Sequence, residues 1–178
     1  LTRGDSATYE TQWNIYPISR IFEELDAFFS NHPVKKDKQI TFAPVPDGIS
    51  LTTDIGLIER ILSNMIINAL EATPDNGTAK VWAEEKDGSI FIHVWNSTAI
   101  PEKIQNRIFQ RNFSTKKQSG RGIGTFSMKL FGEKILGGRV SFTSSPENGT
   151  TFTYADGLGD EPEQATTSAE QERTPRET

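Results

Sequence analysis

Four polar side chains fall on one narrow stripe of the segment from about Asp54 to Thr73: at about 100° per residue, Arg60, Asn64, Asn68 and Glu71 line up. Ile55, Ile58, Ile61, Leu62, Met65, Ile66 and Ala69 fill the opposite arc, so the segment reads as an amphipathic helix. A solvated helix face is usually filled with Glu and Lys, and two asparagines four residues apart are poor helix formers there. The stripe is therefore either a plain exposed face or a set of ligands. As ligands, neutral amide oxygens are hard donors suited to Mg²⁺, which keeps several waters and takes its other contacts from substrate phosphates. In that chemistry Asn68 would hold the metal and Asn64 a water or a phosphate oxygen.

A second chemical feature lies downstream. Gly120-Arg121-Gly122-Ile123-Gly124 ends where a helix begins near Thr125, so exposed backbone N–H groups and a helix N-terminus would face an anion. The run reads equally as a flexible loop before a helix, and its spacing is not that of a dinucleotide fingerprint. The residues before it favour the anion: Phe109 to Ile123 carries Arg111, Lys116, Lys117 and Arg121 and no acid. A polyphosphate ligand would explain both the glycines and the mobile cations.

These groups need a scaffold, and the rest of the chain supplies its parts. Pro17 opens a helical pattern over 17–31 in which Ile18, Ile21, Phe22, Leu25, Phe28 and Phe29 form one stripe, closed before Pro33. Gln39–Ala43 and Ser50–Thr53 read as strands separated by the Pro46-Asp47-Gly48 turn. Ala79–Glu85 and Ile90–Trp95 form a hairpin at Asp87-Gly88, and Arg139–Ser144 and Thr150–Tyr154 form another around Glu147-Asn148-Gly149. Glu102–Phe109 predicts a short helix and Thr125–Leu136 a longer one. Recurring helices with antiparallel hairpins predict an α/β (α+β) two-layer sandwich: a mixed, largely antiparallel sheet of about five strands packed against three helices.

Composition narrows the function classes. The 178 residues suffice for one domain with a sizeable core. Of the 24 acids and 19 bases, seven acids and two bases lie in 156–178, so the net charge of −5 belongs to the tail and the remainder is neutral. That leaves no broad basic face for nucleic acid. Without cysteine there is no disulfide, thiolate metal site or cysteine nucleophile, which fits a reducing cytoplasm. No apolar run approaches the ~18 residues of a membrane span, so no membrane contact is expected of this chain, although a full-length protein could be anchored. The organisation expected is a flexible N-terminus 1–12, one folded domain 13–155 and a disordered acidic tail 156–178.

Taken together, these motifs resemble the gyrase, heat-shock chaperone, histidine kinase and mismatch-repair ATPase superfamily. The nearest resemblance is to the catalytic ATP-binding domain, of Bergerat fold, of bacterial two-component sensor histidine kinases. Leu62-Ser-Asn64-Met-Ile-Ile-Asn68-Ala-Leu-Glu71-Ala72 looks like the N box, and Ile108-Phe109-Gln-Arg-Asn-Phe113-Ser-Thr-Lys116 like the F box with its lid. Gly120–Gly124 is similar to the G2 box and Asn148-Gly149-Thr150-Thr151-Phe152 to the closing G-x-x-F segment. The resemblance implies that Asn68 binds Mg²⁺, that Asn64 and Lys116 act at the phosphates of ATP, and that Gly122 and Gly124 present N–H groups to them. Asn96, Ile100, Arg121, Ile123 and Thr151 complete the implied nucleotide contacts. Phe109 and Phe113 are either lid anchors or plain core.

Two departures stand out. Where the family's G1 box reads D-x-G-x-G, this chain has Asn96-Ser-Thr-Ala-Ile100-Pro101, one residue shorter and without the glycines. Asn96 could accept from the adenine amine and donate to a ring nitrogen, but as a neutral and weaker reader, so modest ATP affinity relaxed toward other nucleotides is expected. Glu71 occupies a position where many histidine kinases carry a cation. The hydrolytic relatives place a glutamate one turn before the Mg²⁺ asparagine. Here Asn64 stands there and cannot be a general base, so phosphotransfer is expected rather than rapid hydrolysis.

His32, before Pro33, and His93, inside a strand, both look unlike a phosphoacceptor. The resemblance therefore implies transfer to a histidine on a separate helical-hairpin domain upstream, a response regulator as partner, and a full-length homodimer. The rivals are an anti-sigma-type serine/threonine protein kinase and a non-catalytic ATP-sensing domain.

Overall fold

The computed structural model describes residues 9–111, 113 and 124–157. The element everything else packs on is α2 (Ile55–Ala72), whose N-cap is Asp54 and whose C-cap is Thr73. Asp54 Oδ1 accepts the Leu57 N–H at 3.1 Å, satisfying one orphan donor of the first turn. Leu57, Ile58, Ile61, Leu62, Met65, Ile66, Ala69 and Leu70 are buried along it. Each large aliphatic so buried stabilises by about 1.5–3 kcal/mol relative to exposure, which outweighs the weak propensity of the asparagines opposite.

The sheet beneath it has the order β2 (Gln39–Phe42), β4 (Thr78–Lys86), β5 (Ser89–Asn96), β7 (Gly149–Ala155), β6 (Arg139–Ser145). Only β2 and β4 run parallel, and both expected hairpins form. On β5, Ile90, Ile92, Val94 and Asn96 point inward to the helices, and Phe91, His93 and Trp95 point to the other face, as a period of two requires. The expected α/β two-layer sandwich with a five-stranded, largely antiparallel sheet is the observed fold.

Several local expectations are corrected. Ser50–Thr53 (β3) is not in the main sheet but pairs antiparallel with Asn14–Pro17 (β1), a strand too short to be read without its partner. In α1 (Ile18–Ser30), Phe28 is 56% exposed while its neighbour Phe29 is fully buried, because the docking stripe is narrower than the apolar one. Glu102–Gln105 (α3) is a single turn. The helix expected over 125–136 splits into α4 (Gly124–Lys129) and a π-helical stretch Leu130–Ile135. There the chain must pass close to β6: a Cβ on Gly132 would come within 2.5 Å of Val140 Cγ2, and Glu133 accepts the Val140 N–H at 3.0 Å.

Within the segment expected to be flexible, Tyr9 Oη (2.8 Å) and Gln12 N–H (2.9 Å) both donate to Asp54 Oδ2. Burial would raise the Asp54 carboxyl, but the Gln12 and Leu57 amides, the Tyr9 hydroxyl and the Gly56 amide outweigh it and hold it below its ordinary value. Apart from Asp156 and Gly157, the tail expected over 156–178 lies outside the described residues.

Candidate nucleotide site

A cavity of about 390 Å³ opens where the C-terminal half of α2 meets the inward end of β5 and β7. Asn68, Glu71 and Ala72 come from the helix, Asn96 from the last position of β5, and Thr150 and Phe152 from β7. Ile100, Pro101, Ile104, Ile108 and Phe113 form an apolar wall opposite. Thr125 adds a hydroxyl whose proton goes to the Ile108 carbonyl at 2.6 Å, fixing the start of α4 against that wall.

The loop after β5 is held by a chain of hydroxyl bonds. Thr98 Oγ1 donates to the Ala72 carbonyl (2.7 Å), so the loop caps the end of α2. Thr150 Oγ1 donates to the Thr98 carbonyl (2.7 Å), Ser144 Oγ lies 2.8 Å from Thr150 Oγ1, and the Ile100 N–H donates to Ser144 Oγ (2.7 Å). Gly149 has φ +70°, and a Cβ on it would run into the Asn96 carbonyl oxygen and approach Ser97 Cα at 2.9 Å, so the β6–β7 turn is pressed directly onto this loop. Only glycine meets both demands.

Of the residues singled out in the sequence, Asn68, Asn96 and Ile100 come together on the cavity wall. Asn64 faces α4 instead: its Nδ2 lies 3.5 Å from the Gly124 carbonyl and 3.4 Å from Ser127 Oγ. Phe109 packs on Phe142 and Phe152 with Lys129 Nζ 5.1 Å from its ring, which favours its reading as core. Thr151 pairs across the sheet with Trp95 and Thr143, all on the outer face, so Thr150 is the threonine at the cavity. Alternation with Phe152 could have made that choice in advance. Lys116, Arg121, Gly122 and Ile123 lie outside the described residues. Thr98 and Ser144 were missed, because each acts through a bond to a residue distant in sequence.

Asn68 and Glu71, one turn apart on α2, give the wall a hard-oxygen donor set. Among the described residues no group of three or more His, Cys, Asp or Glu could hold a metal by itself.

Residues 53–155 match the family model described as histidine kinase-, DNA gyrase B-, and HSP90-like ATPase. A probable C4-dicarboxylate sensor kinase of Halalkalibacterium halodurans is 34% identical over 122 residues, covering 67% of this chain and 22% of the relative. Sporulation kinase A of Bacillus subtilis is 34% identical over 107 residues, covering 60% of this chain and 17% of the relative. The chain thus spans about a fifth of the length of these relatives. Among solved structures, the catalytic domain of the histidine kinase ThkA in a nucleotide-free form superposes with a TM-score of 0.72 at 27% identity, covering 82% of this chain and 95% of that one. The same kinase in complex with the response regulator TrrA gives 0.66 at 25% identity, covering 82% of this chain and 42% of that one.

Proposed function

Because the chain belongs to the histidine kinase-, DNA gyrase B-, and HSP90-like ATPase family, we propose that it is the ATP-binding catalytic domain of a sensor histidine kinase, passing the γ-phosphate of Mg-ATP to a histidine on a separate helical domain. The observation that carries the phosphotransfer reading is Asn64. One turn before Asn68, where water activation would need a carboxylate, it has an amide directed at Gly124 and Ser127. An amide cannot take a proton from water, so the site positions and neutralises phosphate without building its own hydrolytic nucleophile.

In this reading Asn68 holds the Mg²⁺, which supplies charge neutralisation along the phosphates, and the apolar wall opposite receives the base. The terminal P–O bond breaks with ADP as leaving group, and a P–N bond forms on the acceptor imidazole. The chain's own histidines are poor acceptors. His32 Nδ1 takes the Val34 N–H at 3.2 Å, and His93 bonds to Thr153 Oγ1 at 2.8 Å and Glu84 Oε1 at 3.0 Å. Lys116 from the lid, with Arg121 and the N–H groups of Gly122 and Gly124, completes the phosphate contacts. A response regulator takes the phosphoryl group onward, as the complex of ThkA suggests by analogy. Dimerisation and a cytoplasmic location belong to the same proposal. It is consistent that, among the described residues, no helix is long and apolar enough to cross a membrane.

The test is incubation with γ-labelled Mg-ATP and a two-helix phosphoacceptor domain. Acid-labile, base-stable label on the acceptor is expected, and acid-stable label would favour the serine/threonine kinase alternative. Release of free phosphate without acceptor labelling, abolished by Glu71→Gln, would replace the proposal with a hydrolase.

A further inference from the structure

Exposed cations gather where the segment 102–111 meets α4, the two being joined by the bond from Thr125 Oγ1 to the Ile108 carbonyl. Lys103, Arg107, Arg111 and Lys129 all face solvent there, and the only acid in these two segments is Glu102. Three of the four cations lie on aromatic rings: Arg107 over Phe113 at 4.7 Å, Arg111 over Phe126 at 5.9 Å and Lys129 over Phe109 at 5.1 Å. A ring face holds a cation in place without neutralising it. Lys129 has Glu133 at 3.8 Å, whereas Arg107 Nε donates to the neutral Gln110 Oε1 at 3.4 Å. Lys103, Arg107 and Arg111 form no ion pair with any described residue. The result is a positive face that lacks an anion.

The same chain carries a matching anion. Residues 158–172, which lie outside the described residues, hold Asp160, Glu161, Glu163, Glu170 and Glu172 and no base. The chain's surplus of acid is concentrated there, since the residues before 156 are balanced in charge. Reach is sufficient. From Thr150 at the cavity, β7 and the two residues after it lead to Gly157 at the far end of the sheet, roughly 23 Å away at about 3.3 Å per residue. About seven extended residues span that distance in return, so the stretch up to Glu172 is long enough to cover the positive face.

We propose that the acidic stretch 158–172 docks on the face formed by Lys103, Arg107, Arg111 and Lys129 and shields the mouth of the cavity from an incoming triphosphate. Ile104, Ile108 and Phe113, interleaved with these cations, are part of the cavity's apolar wall, so an anion seated on the cations stands at the edge of that wall. Single exposed ion pairs are worth at most about 1 kcal/mol, but a short tether keeps the acids at roughly millimolar effective concentration beside the face. The contact is therefore weak enough for a polyphosphate to displace and close enough to compete with it. Docking does not depend on the nucleotide-site reading above, whereas the shielding rests on it.

Because the chain has no cysteine, Ser168→Cys takes a single nitroxide label. In the labelled full chain at low salt, the amide signals of 103–111 and α4 should broaden. They should recover in about 0.5 M salt, where screening leaves a Debye length of about 4 Å, and in a variant combining Lys103→Gln, Arg107→Gln and Arg111→Gln. Broadening that is absent from these segments, survives salt, or persists in the folded triple variant overturns the proposal. So does broadening that arises only between molecules, in a mixture of spin-labelled and isotope-enriched copies. For the shielding, a chain ending at Gly157 should bind a fluorescent ATP analogue at least about threefold more tightly than the full chain at low salt, with the difference gone in about 0.5 M salt. Docking without that difference overturns the shielding. If neither chain binds the analogue, the nucleotide site itself is wrong, a failure distinct from absent docking.

Discussion

The two ends of α2 are built from similar polar side chains and treat them differently. At its N-terminal end Asp54 collects the Leu57 amide, the Gln12 amide and the Tyr9 hydroxyl, so every bond is made within the protein. At its C-terminal end Asn68 and Glu71 line a cavity beside Asn96, whose Nδ2 has no hydrogen-bond partner among the described residues. Burying a polar group is costly unless it is bonded, and Asp54 meets that cost internally, whereas the second end opens onto a cavity. Polarity on a helix is thus no sign of function in itself. What distinguishes the ends is where the hydrogen bonds go.

Substitutions at the cavity end should remove function with little loss of fold, and the largest effect is expected from Asn68→Ala. If Asn68 is the metal's protein ligand, labelled phosphotransfer should fall by on the order of 100-fold or more while the melting temperature stays near that of the native chain. An equal fall in melting temperature would mean that Asn68 is structural and would erase the contrast. Gly149→Ala tests the loop behind the cavity. It combines a left-handed backbone with a Cβ driven into the Asn96 carbonyl, so a loss of about 2–4 kcal/mol in urea unfolding is expected, together with weakened nucleotide binding. Gly48→Ala is its control: φ is +86° but nothing lies within 4 Å, so about 1–2 kcal/mol should be lost with binding intact.

The same difference governs what the sequence made legible. α2 could be read almost to the residue, from Asp54 to Thr73, because its cap, its period and the following Pro74 are all local signals. The two long hairpins were equally plain from Asp87-Gly88 and Asn148-Gly149. The pairing of β1 with β3 was not, since four residues near the N-terminus acquire strand geometry only from a partner about 36 positions away. The π-helical stretch depends on how near Gly132 passes to Val140, again a tertiary fact. At the cavity, helical spacing pointed to Asn68, while Asn96 was reached only through the family resemblance. The choice of Thr150 over Thr151 hung on a one-residue register, and the role of Ser144 on a bond to Ile100 across the sheet.

At the anchored end the effects should be smaller and confined to stability. Asp54→Ala removes an N-cap and the hold on Tyr9 and Gln12, for a loss of about 1–2 kcal/mol at neutral pH with ATP binding unchanged. Because the Asp54 carboxyl is held below its ordinary value, its charge-dependent contribution is present above the unfolded pKa and is lost as pH falls through the folded one. The native and variant unfolding curves should therefore converge in acid. Curves that stay parallel down to about pH 2 would assign the loss to packing alone.

The smallest effect is expected at Glu59, also in the first turns of α2, which sharpens the comparison by reversing the sign. Burial, then a hydrogen bond and repulsion from Glu24 of α1, raise its carboxyl to about 7, with Arg20 opposing. Its Oε1 is buried without a hydrogen-bond partner, so the protonated form is the one the fold accepts. A raised carboxyl contributes stability that is fully present below its unfolded value and is lost as pH rises through about 7. Glu59→Gln, which keeps the shape and cannot ionise, should thus melt higher than the native chain at about pH 8 and alongside it at about pH 5. A variant less stable at both would mean that Glu59 acts as a charge on Arg20. Asp54 and Glu59 would then be two bonded carboxylates of the same kind, and the internal satisfaction of that end would rest on ion pairing rather than on a shared proton.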